Sequence, residues 1–257
     1  MLRRKPSQAM GPVLYCGDPH GSFAHINEAA LRTNASAVVL LGDLEPIHPL
    51  HEELHPIRDR VWWIPGNHDA DSDDLWIRVW GSGLADRNVH GRVVTLPDGT
   101  RLAGLGGIFR EAVWHPSPGA ARGGKPAFRS RAEHSASTPP HERWRGSHAR
   151  KHWGTIYADE VNRLAELQAD VLVTHEAPGY HPHGFDLLDT LAQSMGVRAV
   201  VHGHHHDRLD SSARWASQGF ASIGIGLRGI SAVFLEPDRV RVEVMRRGEL
   251  DGQRADR

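Results

Sequence analysis

Five short apolar runs dominate the pattern of this chain: VLYC (13–16), AVVLL (37–41), VWWI (61–64), VLVT (171–174) and AVVH (199–202). Each is too short for a helix that must bury a stripe. Each is also rich in β-branched or aromatic residues and closes on Gly, Pro, Asp or His, so each reads as a buried strand. Between them lie helical stretches. SFAHINEAALRT (22–33) opens on Ser22 as an N-cap, and TIYADEVNRLAELQAD (155–170) sets Tyr157, Val161, Leu164 and Ala165 on one face. The alternation predicts an α/β sheet fold. Two hairpins are added to it: Asp98-Gly99 separates RVVTL (92–96) from RLAGL (101–105), and a Pro-Asp turn joins ISAVFLE (230–236) to RVRVEVM (239–245).

At 257 residues and 39% hydrophobic composition the chain can bury a core as a single domain, with tails expected at about 1–11 and 248–257. Thirty Lys and Arg against thirty-one Asp and Glu leave a formal net charge of -1, so no global charge announces a nucleic-acid or membrane partner. The start MLRRKPSQAMGP is not followed by an apolar signal region, and no apolar run spans a bilayer. With Cys16 as the lone cysteine, a cytoplasmic location is expected. The stretch 106–154 differs from its surroundings. It is rich in Gly, Pro, Ser, Arg and His with little apolar periodicity, and reads as a long loop or lid. Its cations make it locally basic, and Arg129 and Arg131 are the candidates there for gripping an anionic substrate.

The segments at the carboxyl ends of the apolar runs are equally regular: CGDPHG, LGDLE, PGNHD, THEAP and GHHHD. In open α/β sheets a ligand site lies beyond the carboxyl ends of the strands, so these five ends can converge on one crevice. Singly they are weak signals. Asp18-Pro-His20 and Asn67-His68-Asp69 are good turn chemistry, Asp43 can cap a helix, and His175 alone is more often a hydrogen-bonded histidine than a ligand. Jointly they supply N and O donors suited to borderline divalent metals. If the backbone stays extended through GHHH, His204 and His206 point to one side and His205 to the other. His181-Pro182-His183 reads as exposed loop histidines, with support of a metal site as the alternative.

In order along the chain, Asp18-x-His20, Gly42-Asp43, Gly66-Asn67-His68-Asp69, His175 and Gly203-His204-x-His206 resemble the motif set of the calcineurin-like metallophosphoesterase superfamily. GLGGIF and VTHEAPGYHPHGF add a likeness to its small bacterial members. The resemblance implies a mixed two-sheet β-sandwich flanked by helices with a dinuclear metal centre at its edge. By that likeness Asp18, His20 and His206 hold one metal, Asn67, His175 and His204 the other, Asp43 bridges them, and His68 faces the scissile phosphate as the catalytic histidine. The metals it implies are two divalent ions among Mn, Fe and Zn, with manganese favoured.

The chemistry suits such a site. A phosphate ester is anionic and repels hydroxide, so hydrolysis needs positive charge beside phosphorus and a nucleophile already deprotonated at neutral pH. Two cations about 3.5–4 Å apart with a bridging hydroxide supply both, and His68 can protonate the leaving oxygen. One departure bears on substrate. The Ser/Thr protein phosphatases of the superfamily carry an Asp three and an Arg four residues beyond the bridging Asp, where this chain has Pro46 and Ile47. His68 thus lacks its usual orienting partner, for which Asp69 and Glu45 are the candidates. The expected function is a phosphatase or phosphodiesterase acting on a small phosphorylated molecule. A nuclease working through the basic insertion is the alternative, and a metal-binding protein without turnover is disfavoured by the presence of His68.

Overall fold

The computed structural model describes residues 10–252. Its strands are β1 (Val13–Cys16), β2 (Ala37–Leu40), β3 (Val61–Trp63), β4 (Val93–Thr95), β5 (Arg101–Leu105), β6 (Val171–Thr174), β7 (Ala199–His202), β8 (Ala221–Gly224), β9 (Ile230–Leu235) and β10 (Val240–Arg246). They form two five-stranded mixed sheets, ordered β10-β9-β1-β2-β3 and β4-β5-β6-β7-β8. In the first, β1, β2 and β3 run parallel; in the second, β5 to β8 do. The expected Asp98-Gly99 hairpin pairs β4 with β5, and the Pro237-Asp238 turn pairs β9 with β10.

Strand alternation explains why the five runs are apolar throughout. On β1, Val13 and Tyr15 face the second sheet, while Leu14 and Cys16 pack outward with Ile26, Ala29 and Ala30 of α1 (Ala24–Thr33). On β6 and β7, Val171, Val173, Ala199 and Val201 enter the same inter-sheet layer. Leu172 and Val200 turn outward against Val161 and Leu164 of the helix at Ala158–Ala165 and Leu188 and Leu191 of the helix at Asp186–Ser194. A strand covered on both faces has no polar side to show. The result is two sheets face to face with helices on either side, the sandwich that the motif likeness implied.

The remaining helices are α2 (Leu50–Glu53), α3 (Asp73–Trp80), α4 (Arg131–Ser137), α5 (Ala158–Ala165), α6 (Asp186–Ser194) and α7 (Trp215–Gln218). Ser22 does not cap α1: Phe23 holds the cap position without a side-chain bond, and the Ser22 hydroxyl lies 3.4 Å from His25 Nδ1. The insertion expected at 106–154 lies between β5 and α5 and carries α4 with short 3-10 turns. It is held by a cluster of Trp76, Trp80, Trp144 and Trp153, with ring centroids 5.1–6.0 Å apart, and by Arg131. The first nine residues lie outside the described residues, as do the last five, so most of the expected N-terminal tail and half of the C-terminal one do too. Of the C-terminal tail, 248–252 is described and is tied back: Glu249 pairs with Arg228 and donates its N–H to Leu227 O at 2.9 Å. Among the described residues no helix is long and apolar enough to cross a membrane.

Candidate metal centre

The ends of β1, β2, β3, β6 and β7 come together, and the chain reaches the site through sharply turned backbone. Asp18, His20, Asp43, His204 and His206 all have left-handed φ, between 38° and 70°. Asp, Asn and His tolerate this region better than most residues, yet each instance costs roughly 1–2 kcal/mol, and such strain concentrates at functional sites. Two glycines make room. Gly42 has φ 98°, and a Cβ there would stand 2.4 Å from His175 Nδ1; at Gly66 it would stand 2.1 Å from Asp43 Oδ1.

Two groups of potential ligands form, with Asp43 common to both: His20, Asp43 and His206, and Asp43, His175 and His204. Within each group one ligand atom per residue lies within 4.8 Å of the others. Asn67 joins the second, its Oδ1 being 3.1 Å from His175 Nε2. Asp18 stands beside the groups. It is fully buried, accepts the His204 N–H at 3.0 Å, and has Oδ1 3.8 Å from His175 Nδ1.

Hydrogen bonds at the far ring nitrogens fix which ring nitrogens face inward. His175 Nδ1–H donates to Leu41 O at 2.7 Å, which turns Nε2 inward toward Asn67 Oδ1 at 3.1 Å and Asp43 Oδ2 at 3.4 Å. His20 Nδ1 is bound to Glu45, so its Nε2 faces His206 Nε2 at 3.1 Å. Imidazole nitrogens, an amide oxygen and a carboxylate thus converge on the same space, a donor set that suits a divalent cation. The carboxylates point the same way. Burial pushes Asp18 up to about 7 and Asp69 up to about 6, with the Asp43 charge adding to both shifts. Asp43 itself, despite its burial, is held well below the usual range by His175. The residues therefore fit divalent cations.

His68 sits beside this cluster, its ring centroid 6.1 Å from that of His20, and half of its side chain is exposed. Neither expected partner orients it. Asp69 is buried and accepts backbone N–H groups from Leu44 and Gly66 at 2.7 Å, fastening the β2 and β3 loops together, while Glu45 serves His20. The partner is Asp71, whose Oδ2 is 2.6 Å from His68 Nδ1. Burial works against the His68 cation, but Asp71, Asp43 and Glu45 together raise its pKa.

The extended reading of GHHH is corrected. Strand β7 stops at His202, and left-handed turns at His204 and His206 aim those rings at the cluster. His205 is thrown outward by turn geometry rather than by strand alternation, and stacks on His181 with centroids 3.9 Å apart. His181 is correspondingly buried, not an exposed loop histidine, and lies 3.3 Å from Asp207; His183 is exposed.

Arg131 and Arg129 make no contact with these ligands among the described residues. The Arg131 guanidinium donates to Glu160 Oε1 at 2.7 Å and to the carbonyls of His152 and Thr155, while Arg129 is exposed. Three residues not singled out from the sequence also adjoin the centre. Beside Asp71 these are Glu176, buried with Oε2 3.9 Å from His204 Nε2 and pushed up to about 7 by burial, and Arg110. Glu176 is visible in THEAP as a carboxylate next to a candidate ligand; the other two lie just beyond quoted motifs, Asp71 two residues after Asp69 and Arg110 directly after GLGGIF.

The calcineurin-like phosphoesterase family matches residues 11–208 of the chain, which therefore belongs to that family. It is a metal-dependent phosphoesterase, a hydrolase. An uncharacterised protein of Haemophilus influenzae is 36% identical over 217 residues, covering 82% of this chain and 92% of its own. Among solved structures the fold is similar to that of TT1561 of Thermus thermophilus, with a TM-score of 0.57 and 16% identity. That match covers 93% of this chain and 100% of the other.

Proposed function

We propose that the chain hydrolyses phosphate esters of small molecules at a two-metal centre, with manganese as the working ion. Asp18, His20 and His206 are assigned to one ion, Asn67, His175 and His204 to the other, and Asp43 to both. The observation that carries this reading is the sharing of Asp43 by two groups of converging imidazole, carboxylate and amide ligand atoms. When bound, the ions supply Lewis acidity toward phosphoryl oxygens and make water a nucleophile at neutral pH. The chain's own residues do the rest. His20 and His175 are locked by Glu45 and Leu41 into the tautomer that offers Nε2. His68, held at Nδ1 by Asp71, carries a transferable proton at Nε2 and gives it to the leaving oxygen, a contribution of roughly 10²–10⁴-fold.

A small substrate is favoured over a polynucleotide because four arginines of the insertion are engaged within the fold. Arg131 is spent on Glu160, Arg150 on Asp73 and the Ala70 carbonyl, Arg143 on the Thr138 carbonyl, and Arg145 lies over the Trp76 and Trp144 rings. The test is a panel of phosphorylated metabolites, cyclic nucleotides and single-stranded RNA assayed with Mn²⁺ and with chelator. The expected result is chelator-sensitive turnover of a small ester that varies little with salt. Turnover of RNA alone, with affinity falling by a log-log slope of about -0.7 per phosphate contact, would favour the nuclease. No turnover with any divalent ion overturns the reading.

A further inference from the structure

Arg110 lies just past β5, at the end of the GGIFR segment, and the backbone there is pinned to the metal centre: the Phe109 N–H donates to Glu176 Oε1 at 3.1 Å, next to His175. Its Nε is buried and has no hydrogen-bond partner, and no carboxylate of the described residues lies within ion-pairing distance. The charges acting on it are, in order, Asp71, Glu176 and Asp43, and it acts in turn on His152 of the insertion. It is thus the part of the insertion that lies within electrostatic reach of the metal centre. Arg131, Arg143 and Arg150 of the same insertion all have protein acceptors, whereas Arg110 has a buried Nε without one. A buried N–H without an acceptor is costly unless a ligand completes it.

We propose that Arg110 grips the phosphoryl group of a phosphomonoester, donating from the guanidinium to a non-bridging oxygen turned away from the metal ligands. Ile47, at the position where the superfamily's protein phosphatases carry an arginine, is 65% exposed and apolar and can make no such contact. A fixed planar fork suits phosphate geometry. The monoester follows from counting oxygens. A monoester has three non-bridging oxygens and a diester two, so if the two ions took two of them, only the monoester would keep a metal-free oxygen for an arginine. The inference rests on the phosphoesterase reading above.

The experiment measures inorganic phosphate binding by calorimetry on the Mn²⁺-loaded full chain, together with kcat and KM for an aryl phosphomonoester and the matching diester. Arg110→Ala should weaken phosphate and raise the monoester KM by roughly tenfold to a hundredfold, the span of a lost charge-assisted contact. The diester KM and the bound-metal ratio should stay within about twofold. Arg110→Lys should recover part of the phosphate affinity, since it restores charge without the fork; if the alanine variant fails to hold metal, the lysine variant decides, by a partial loss of phosphate affinity with metal retained. A parent that binds phosphate and turns over esters while both variants match it overturns this inference alone. Equal effects on monoester and diester overturn the monoester assignment. A parent that neither binds phosphate nor hydrolyses any ester overturns the phosphoesterase reading and this inference with it.

Discussion

Asp71 Oδ2 stands 2.6 Å from His68 Nδ1, so the catalytic candidate is oriented by a carboxylate three residues along its own loop. If that contact sets the ring for proton donation, Asp71→Asn should lower kcat roughly tenfold or more with metal content unchanged. His68→Ala should lower it by about 10²–10⁴-fold. Combining the two should add little, because the carboxylate acts only through the histidine. Kinetics with metal analysis on the three variants check this, and undiminished turnover in His68→Ala removes the residue from the mechanism.

The three consecutive histidines should differ by position. His204→Ala and His206→Ala should each deplete chiefly one ion and most of the activity, since they belong to different ligand groups. His205→Ala should stay within about tenfold of the parent, and His181→Ala should resemble it, because the two rings support each other away from the ligands. Three variants with equal metal loss would make the cluster a diffuse metal-attracting surface.

Acid stability should depend on Glu160. Burial alone would raise its pKa, but His90 and Arg131 hold the carboxyl down at about 2. Its stabilisation is therefore full above the unfolded value, about 4.3, and is lost as pH falls from there toward 2. Glu160→Gln should be less stable at neutral pH by roughly 3 kcal/mol, the cost of breaking a buried pair, and should lose less on acidification across that window. Urea unfolding at a series of pH values measures both, and parallel curves for parent and variant would contradict the assignment.

The strands were legible because runs such as VLYC and VLVT are apolar on both faces, and the candidate ligands because they fall where those runs stop. What sequence could not supply is where side chains point after a turn. Asp69 and Glu45 are the near neighbours a sequence offers to His68, yet the fold spends Asp69 on backbone N–H groups and Glu45 on His20. GHHH comes after a strand and so suggests alternation, but left-handed φ at His204 and His206 is set by tertiary packing. The basic composition of 106–154 likewise does not reveal that Arg131 serves the distant Glu160 while Arg110 is left without a partner.

One carboxylate, Asp43, is common to both ligand groups, and the proposed chemistry depends on its joining two cations. The metal-to-protein ratio after chelation, reloading with Mn²⁺ and desalting, in the parent, His206→Ala and Asp43→Ala, tests this without recourse to a substrate. About two ions are expected in the parent, about one in His206→Ala and fewer still in Asp43→Ala, in line with a ligand shared by both sites. Two ions retained in Asp43→Ala would contradict the bridging role.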